Sequence, residues 1–132
     1  MKGSFKLGKI ADIGIFIHWT FSLLILFIVF INYRSGQNAT QILWSVFFVL
    51  SIFITVVMHE LGHALAAKRY NIITKDITLL PIGGIARLEK IPEKPIEELI
   101  VAIAGPLVNI VLAVITGIFI TIPATSEQLM AQ

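Results

Sequence analysis

Five consecutive residues carry the densest chemistry in this chain: His59-Glu60-Leu61-Gly62-His63. On an α-helix, residues i and i+4 lie one above the other on the same face. His59 and His63 can therefore turn two imidazoles toward one metal ion, and adjacent turns suit zinc–nitrogen bonds of about 2.0–2.1 Å. Glu60 is offset by about a quarter turn. That places it beside such an ion, where a general base must stand to take a proton from water. The chain has only 3 histidines, and shuffling its composition yields an H-E-x-x-H pattern roughly 0.003 times per chain. The bland alternative is that His59 and Glu60 are polar residues reaching for the interface at a helix end. The apolar run Ile52-Phe53-Ile54-Thr55-Val56-Val57-Met58 leads straight into the motif. Ionisable groups so placed in a membrane segment are expensive and usually functional.

Other candidates are less specific. His18 precedes Trp19, a pairing expected of an interfacial anchor, and it lacks a partner at ligand spacing. Ala104-Gly105-Pro106-Leu107 followed by Asn109 reads either as a close helix–helix crossing with a proline kink or as a source of an amide for the active site, and a buried amide needs partners in either case. Glu97 and Glu98 suit a helix N-terminus through its dipole. Zero cysteines exclude disulfides, thiolate metal sites and a cysteine nucleophile.

The elements that must position these residues follow from where charge is absent. The 132 residues are 57% hydrophobic and 14% charged, against about 45–50% and about 25% in soluble domains. Mean hydropathy is +0.91. An ordinary soluble enzyme, a disordered chain and a disulfide-stapled module are thereby excluded. Charge-free stretches of 21, 25 and 28 residues separate Asp12 from Arg34, Arg34 from Glu60, and Glu98 from Glu127. Each exceeds the roughly 20 helical residues that span a bilayer core. The reading is a membrane α-helical fold of one domain, residues 1–132, with three transmembrane helices near residues 15–33, 41–68 and 98–122. The first run is too long for a signal-peptide core and has no cleavage site after it, so it reads as retained.

Residues 68–98 hold 11 of the 18 charged residues, together with Pro81, Gly83, Gly84, Pro92 and Pro95. Residues 72–80 are rich in β-branched side chains and 82–88 form a second short run. A small β-ribbon between the second and third helices is expected, bent at 81–84. Three lysines precede the first span and six Lys or Arg lie in 68–98, against one, Arg34, between the first two spans and none after the third. The positive-inside rule then puts the N-terminus, the ribbon and the His-Glu end of the second helix on the cytoplasmic side of a multi-pass protein, with the cell membrane as the expected location. Basic residues so placed need no nucleic acid to explain them.

Three motifs in order, His59–His63 in an apolar span, Leu80-Pro81-Ile82-Gly83-Gly84, and Ala104-Gly105-Pro106-Leu107-Val108-Asn109, closely resemble the site-2 proteases, intramembrane zinc metalloproteases of peptidase family M50. The stretch 14–21 ahead of the first span resembles them too, and the likeness runs from about residue 5 to residue 122. The resemblance implies Zn2+ as cofactor, His59 and His63 as metal ligands and Glu60 as the catalytic base. It also implies a ribbon beside the active site that helps present substrate, here with Gly83 and Gly84, and Asn109 near the catalytic helix. The partners it implies are the lipid bilayer and a transmembrane protein substrate. Family members take a third zinc ligand from an aspartate in a later N-x-x-P-x-x-x-x-D-G motif. This sequence has only Asp12 and Asp76, neither in a matching position. The expectation is the N-terminal portion of a longer enzyme, or a ligand donated within a homo-oligomer. Glu98, 35 residues after His63, is a further option as a thermolysin-like ligand. Two readings of other classes stand beside the protease: a zinc-binding transporter or sensor that hydrolyses nothing, and a membrane scaffold that binds no zinc.

Overall fold

The computed structural model describes residues 2–132 and the side chains of all but 123–125 in its last helix. The chain begins with a β-hairpin, β1 (Ser4–Ile10) and β2 (Ile13–His18). Ala11 and Asp12 both have positive φ, 51° and 64°, as a two-residue type I′ turn demands. Ile13–His18 therefore belongs to a strand rather than to the first helix, which starts only at Thr20. The expected span beginning near residue 15 is corrected accordingly. A strand is favoured there because Ile13, Gly14 and Ile15 are buried in a sheet.

Helix α1 (Thr20–Arg34) has 15 residues, about 22 Å at 1.5 Å per residue. It stops at Gly36, whose φ of +82° lets Gly36 N donate to Tyr33 O and Gln37 N to Asn32 O, both at 3.1 Å. This is the glycine-closed C-terminus of a Schellman motif. Two residues later Asn38 caps α2 (Ala39–Lys68) through a reciprocal box with Gln41. Helix α2 has 30 residues, and three residues past its end Asn71 again has positive φ, 61°. Ile72 N donates to Ala67 O there, and the chain turns directly into β3 (Thr74–Leu80) and β4 (Gly83–Leu88). The anticipated ribbon is thus present, turning at Pro81 and Ile82.

The sheet has four strands in the order β1-β2-β3-β4. Two of them come from the N-terminal segment that the sequence marked only as a basic tail and the start of a span. The outer pairs are antiparallel and β2–β3 is parallel. A parallel pair needs a long crossover, here the α1–α2 helical hairpin. The sheet packs on the C-terminal half of α2, with Ile13, Ile15 and Ile77 against Leu61 and Ala64, and Val57 and Ala86 alongside. This is the apolar core, and it lies under the His-Glu motif.

Helix α3 (Pro95–Met130) starts with proline at its first turn, where the missing N–H costs nothing. Glu97 and Glu98 occupy that turn. Among the described residues two helices, α2 and α3, are long and apolar enough to cross a membrane. Large apolar side chains such as Phe47, Phe48, Ile54, Ile110 and Ile115 point outward from both, as suits helices solvated by lipid rather than water.

Candidate metal centre

The motif sits on the last three turns of α2, where one flank meets α3 and the other meets the sheet. His59 Nε2 and His63 Nε2 are 3.0 Å apart, with the rings nearly perpendicular at a centroid separation of 4.7 Å. Each ring is held from behind by α3. His63 Nδ1 lies 2.6 Å from the carbonyl oxygen of Val101. A carbonyl can only accept, so Nδ1 carries a proton, and in the neutral ring Nε2 then presents a lone pair. His59 Nδ1 lies 2.9 Å from the amide nitrogen of Asn109.

The close approach of α3 depends on glycine. A Cβ on Gly105 would stand 2.3 Å from His63 Nε2 and 2.5 Å from Cε1. One on Gly62 would stand 2.8 Å from the Ala104 carbonyl oxygen and from Val108 Cγ2. The small residues therefore let backbone meet imidazole, as in close membrane-helix crossings. Pro106 follows immediately and removes one N–H from the α3 ladder. The Val101 carbonyl had no signal in the sequence, because every residue has one.

Glu60 is on the other side of the pair. The backbone of β4 passes across it at Gly84, where a Cβ would lie 3.2 Å from Glu60 Cγ and 3.0 Å from Val56 Cγ1. Strand β4 is one of the two edge strands of the sheet, so its far edge has no strand partner among the described residues. Gly83 next to it adopts φ +139° with open space around its Cα. The structure thus gathers His59, His63 and Asn109 together and brings Gly84 to Glu60.

Among the described residues no group of three or more His, Cys, Asp or Glu side chains converges. Glu98 forms no such group with the histidine pair. His18 bonds Thr20 Oγ1 at 2.7 Å and the Lys2 carbonyl at 3.2 Å. The hydroxyls of Ser45, Ser51 and Thr55 donate to carbonyls four residues earlier in α2, satisfying themselves on their own backbone.

The profile of peptidase family M50 matches residues 47–128. The chain belongs to this family. A zinc metalloprotease of Methanocaldococcus jannaschii is 45% identical over 115 residues, covering 87% of this chain and 32% of the relative. Stage IV sporulation protein FB of Bacillus subtilis is 42% identical over 63 residues, 47% of this chain and 22% of that one. The solved site-2 protease from M. jannaschii superposes with a TM-score of 0.64 at 40% identity, over 85% of this chain and 49% of the solved one. The M50 chain described here spans a third or less of the length of these two curated relatives and about half of the solved structure.

Proposed function

We propose that this chain carries the catalytic helix of an intramembrane zinc metalloprotease that hydrolyses a peptide bond within or near a transmembrane segment of another protein. The observation that carries the reading is the convergence of two Nε2 atoms at 3.0 Å with both Nδ1 atoms engaged from behind. This donor set suits zinc: two neutral imidazoles, one already fixed in the Nδ1–H tautomer that leaves Nε2 free to ligate. His59 and His63 would hold the ion, with a third ligand from outside the pair. Zinc, when bound, supplies a Lewis acid that makes water nucleophilic near neutral pH and polarises a carbonyl.

The rest is the work of this chain. Glu60 accepts the proton of the attacking water and returns it to the departing amine nitrogen. A helical substrate hides its carbonyls in its own hydrogen bonds, so it must unwind before attack. The free edge of β4 runs past Glu60, and it offers backbone donors and acceptors that can hold an unwound segment by β-augmentation. Gly83 and Gly84 keep that edge open. Helix α1 is short for a bilayer core about 30 Å thick. Its flanking Trp19 and Tyr33 are exposed and suit interfacial depth, so α1 serves as the first of three spans. The lysines of β1 and the charged β3–β4 region face the cytoplasm in this arrangement.

The test is Glu60→Gln. Loss of a general base costs about 10²–10⁴-fold in rate, so cleavage of a membrane substrate should collapse while zinc stays bound. Undiminished cleavage in that variant would remove Glu60 from the chemistry, and a zinc-dependent function other than cleavage that survives it unchanged would favour the non-hydrolytic zinc protein.

A further inference from the structure

The amide of Asn109 is half satisfied. Its nitrogen faces His59 Nδ1 at 2.9 Å, while its Oδ1 is buried with no hydrogen-bond partner. A buried carbonyl oxygen left unpaired in this way carries an uncompensated desolvation cost. The hydrogen-bond chain fixes what this orientation means. His63 Nδ1–H donates to Val101, so His63 Nε2 has only a lone pair to offer. The 3.0 Å contact between the two Nε2 atoms is then a hydrogen bond only if His59 Nε2 carries its ring proton. His59 Nδ1 is left as an acceptor, and the Asn109 amide donates to it. Every link is consistent, but it is the wrong tautomer of His59 for holding a metal through Nε2.

Ligation through Nε2 requires the proton of His59 on Nδ1, and Nδ1–H requires an acceptor. Asn109 can supply one without moving its backbone. A half-turn about its last side-chain torsion exchanges Nδ2 for Oδ1, two groups of nearly identical shape. We infer that Asn109 is the positioning residue of His59: its amide turns to present Oδ1 to His59 Nδ1–H, selecting the tautomer and ring orientation in which His59 holds zinc. The same half-turn gives Oδ1 a partner and sets Nδ2 in the position it leaves. Asn109 then does for His59 what the Val101 carbonyl does for His63. The difference is that a backbone carbonyl in a helix is fixed, while an amide can serve either tautomer. This assigns Asn109 to the metal ligand rather than to the substrate, and it rests on the proposal that His59 and His63 hold zinc.

Three variants test it in the whole protein in detergent micelles: Asn109→Leu, Asn109→Asp and, as a control for the metal reading, His63→Ala. Zinc affinity is measured by competition with a chromophoric chelator, and histidine tautomers by ¹⁵N chemical shifts of the metal-stripped protein. Asn109→Leu keeps the branching at Cγ and removes the acceptor, so zinc binding should weaken by about 10- to 100-fold, the usual cost of losing such a ligand-orienting partner. Asn109→Asp presents only acceptors. It should bind zinc at least as tightly as Asn109 does, and His59 should move toward the Nδ1–H tautomer while His63 stays as it is. Wild-type affinity in Asn109→Leu, or an Asn109→Asp variant as weak as Asn109→Leu, overturns the assignment while leaving the ligands intact. Zinc binding indifferent to His63→Ala overturns the metal reading itself, and the assignment with it.

Discussion

Helix α2 has two working flanks, and they are built on opposite principles. Against α3 the contact is tight and polar: Gly62 and Gly105 remove side chains so that backbone and amide reach the imidazoles. Against the sheet the contact is broad and apolar: Leu61 and Ala64 bury into Ile13, Ile15 and Ile77, and Glu60 lies against the bare backbone at Gly84. The first flank determines what the histidines are chemically, through their protons and ring angles. The second determines what lies across from Glu60. The same four-residue spacing that pairs His59 with His63 puts Glu60 and Ala64 one residue further round the helix. In the proposed reading one helix therefore serves a metal on one side and a substrate-holding strand on the other.

If that division is correct, the largest single effect should come from Gly105→Val. The new Cβ would occupy the position of the His63 ring, 2.3 Å from Nε2. The imidazole is the movable partner, so it must swing away and give up the Val101 carbonyl. Zinc affinity should fall by more than about 100-fold, beyond the usual range for loss of an orienting partner, and cleavage should vanish with it. Zinc titration and a cleavage assay on the same preparation check this, with helicity by circular dichroism confirming that the helices remain. Retained zinc would mean that α3 is not what fixes His63.

The opposite flank gives the contrasting outcome. Gly84→Val adds bulk where Val56 Cγ1 and Glu60 Cγ already lie within 3.0 and 3.2 Å of the Cβ position. The strand or the carboxylate must shift by a fraction of an ångström. Displacements of about 1 Å near reacting groups cost up to about 10²-fold in rate, so a drop of about 10- to 100-fold is expected, with zinc affinity unchanged. The pair of variants separates the flanks: one loses metal and activity together, the other activity alone. Equal loss of zinc in both would show that the sheet also positions the histidines.

The two flanks were unequally legible in the sequence. The histidine pair and its glutamate announce themselves through an i, i+4 spacing in an otherwise charge-free run, and the β3–β4 hairpin through β-branched residues around a Pro-Gly bend. The β1–β2 hairpin did not. Its turn is Ala11-Asp12, with no glycine or asparagine to signal positive φ, and Ile13–Ile17 continues without a break into the apolar residues of α1. Lys6 and Lys9 of β1 look like topology-setting charges, which conceals a strand. Gly105 and Asn109 were visible as a small residue and an amide on a span. Their partners, His63 and His59, lie 42 and 50 residues earlier, a distance at which only packing can make the assignment.

The smallest effect should come from the far side of the sheet. Asp76 on β3 and Arg87 on β4 are cross-strand partners, and the guanidinium engages the carboxylate through both Nε and a terminal nitrogen, with Nε at 2.8 Å from Oδ1. The hydrogen bonds from Arg87 hold the Asp76 carboxyl below the ordinary 3.8, against the opposing pull of burial. A carboxyl lowered on folding stabilises the fold above its unfolded value and loses that contribution as pH falls through the lower folded value. The clamp should therefore hold at full strength at neutral pH and fail only below about pH 3.8. Asp76→Asn should lower the thermal midpoint slightly at pH 7, because Arg87 is more than half exposed and such pairs are worth little. The difference from the unaltered protein should close in strong acid. Zinc affinity should not change. Any loss of cleavage should be modest, because the clamp pins β4 only at its distal end, away from Gly84. A strong loss of zinc in Asp76→Asn would mean that the sheet and the metal flank are mechanically one unit, and the division of labour along α2 would have to be abandoned.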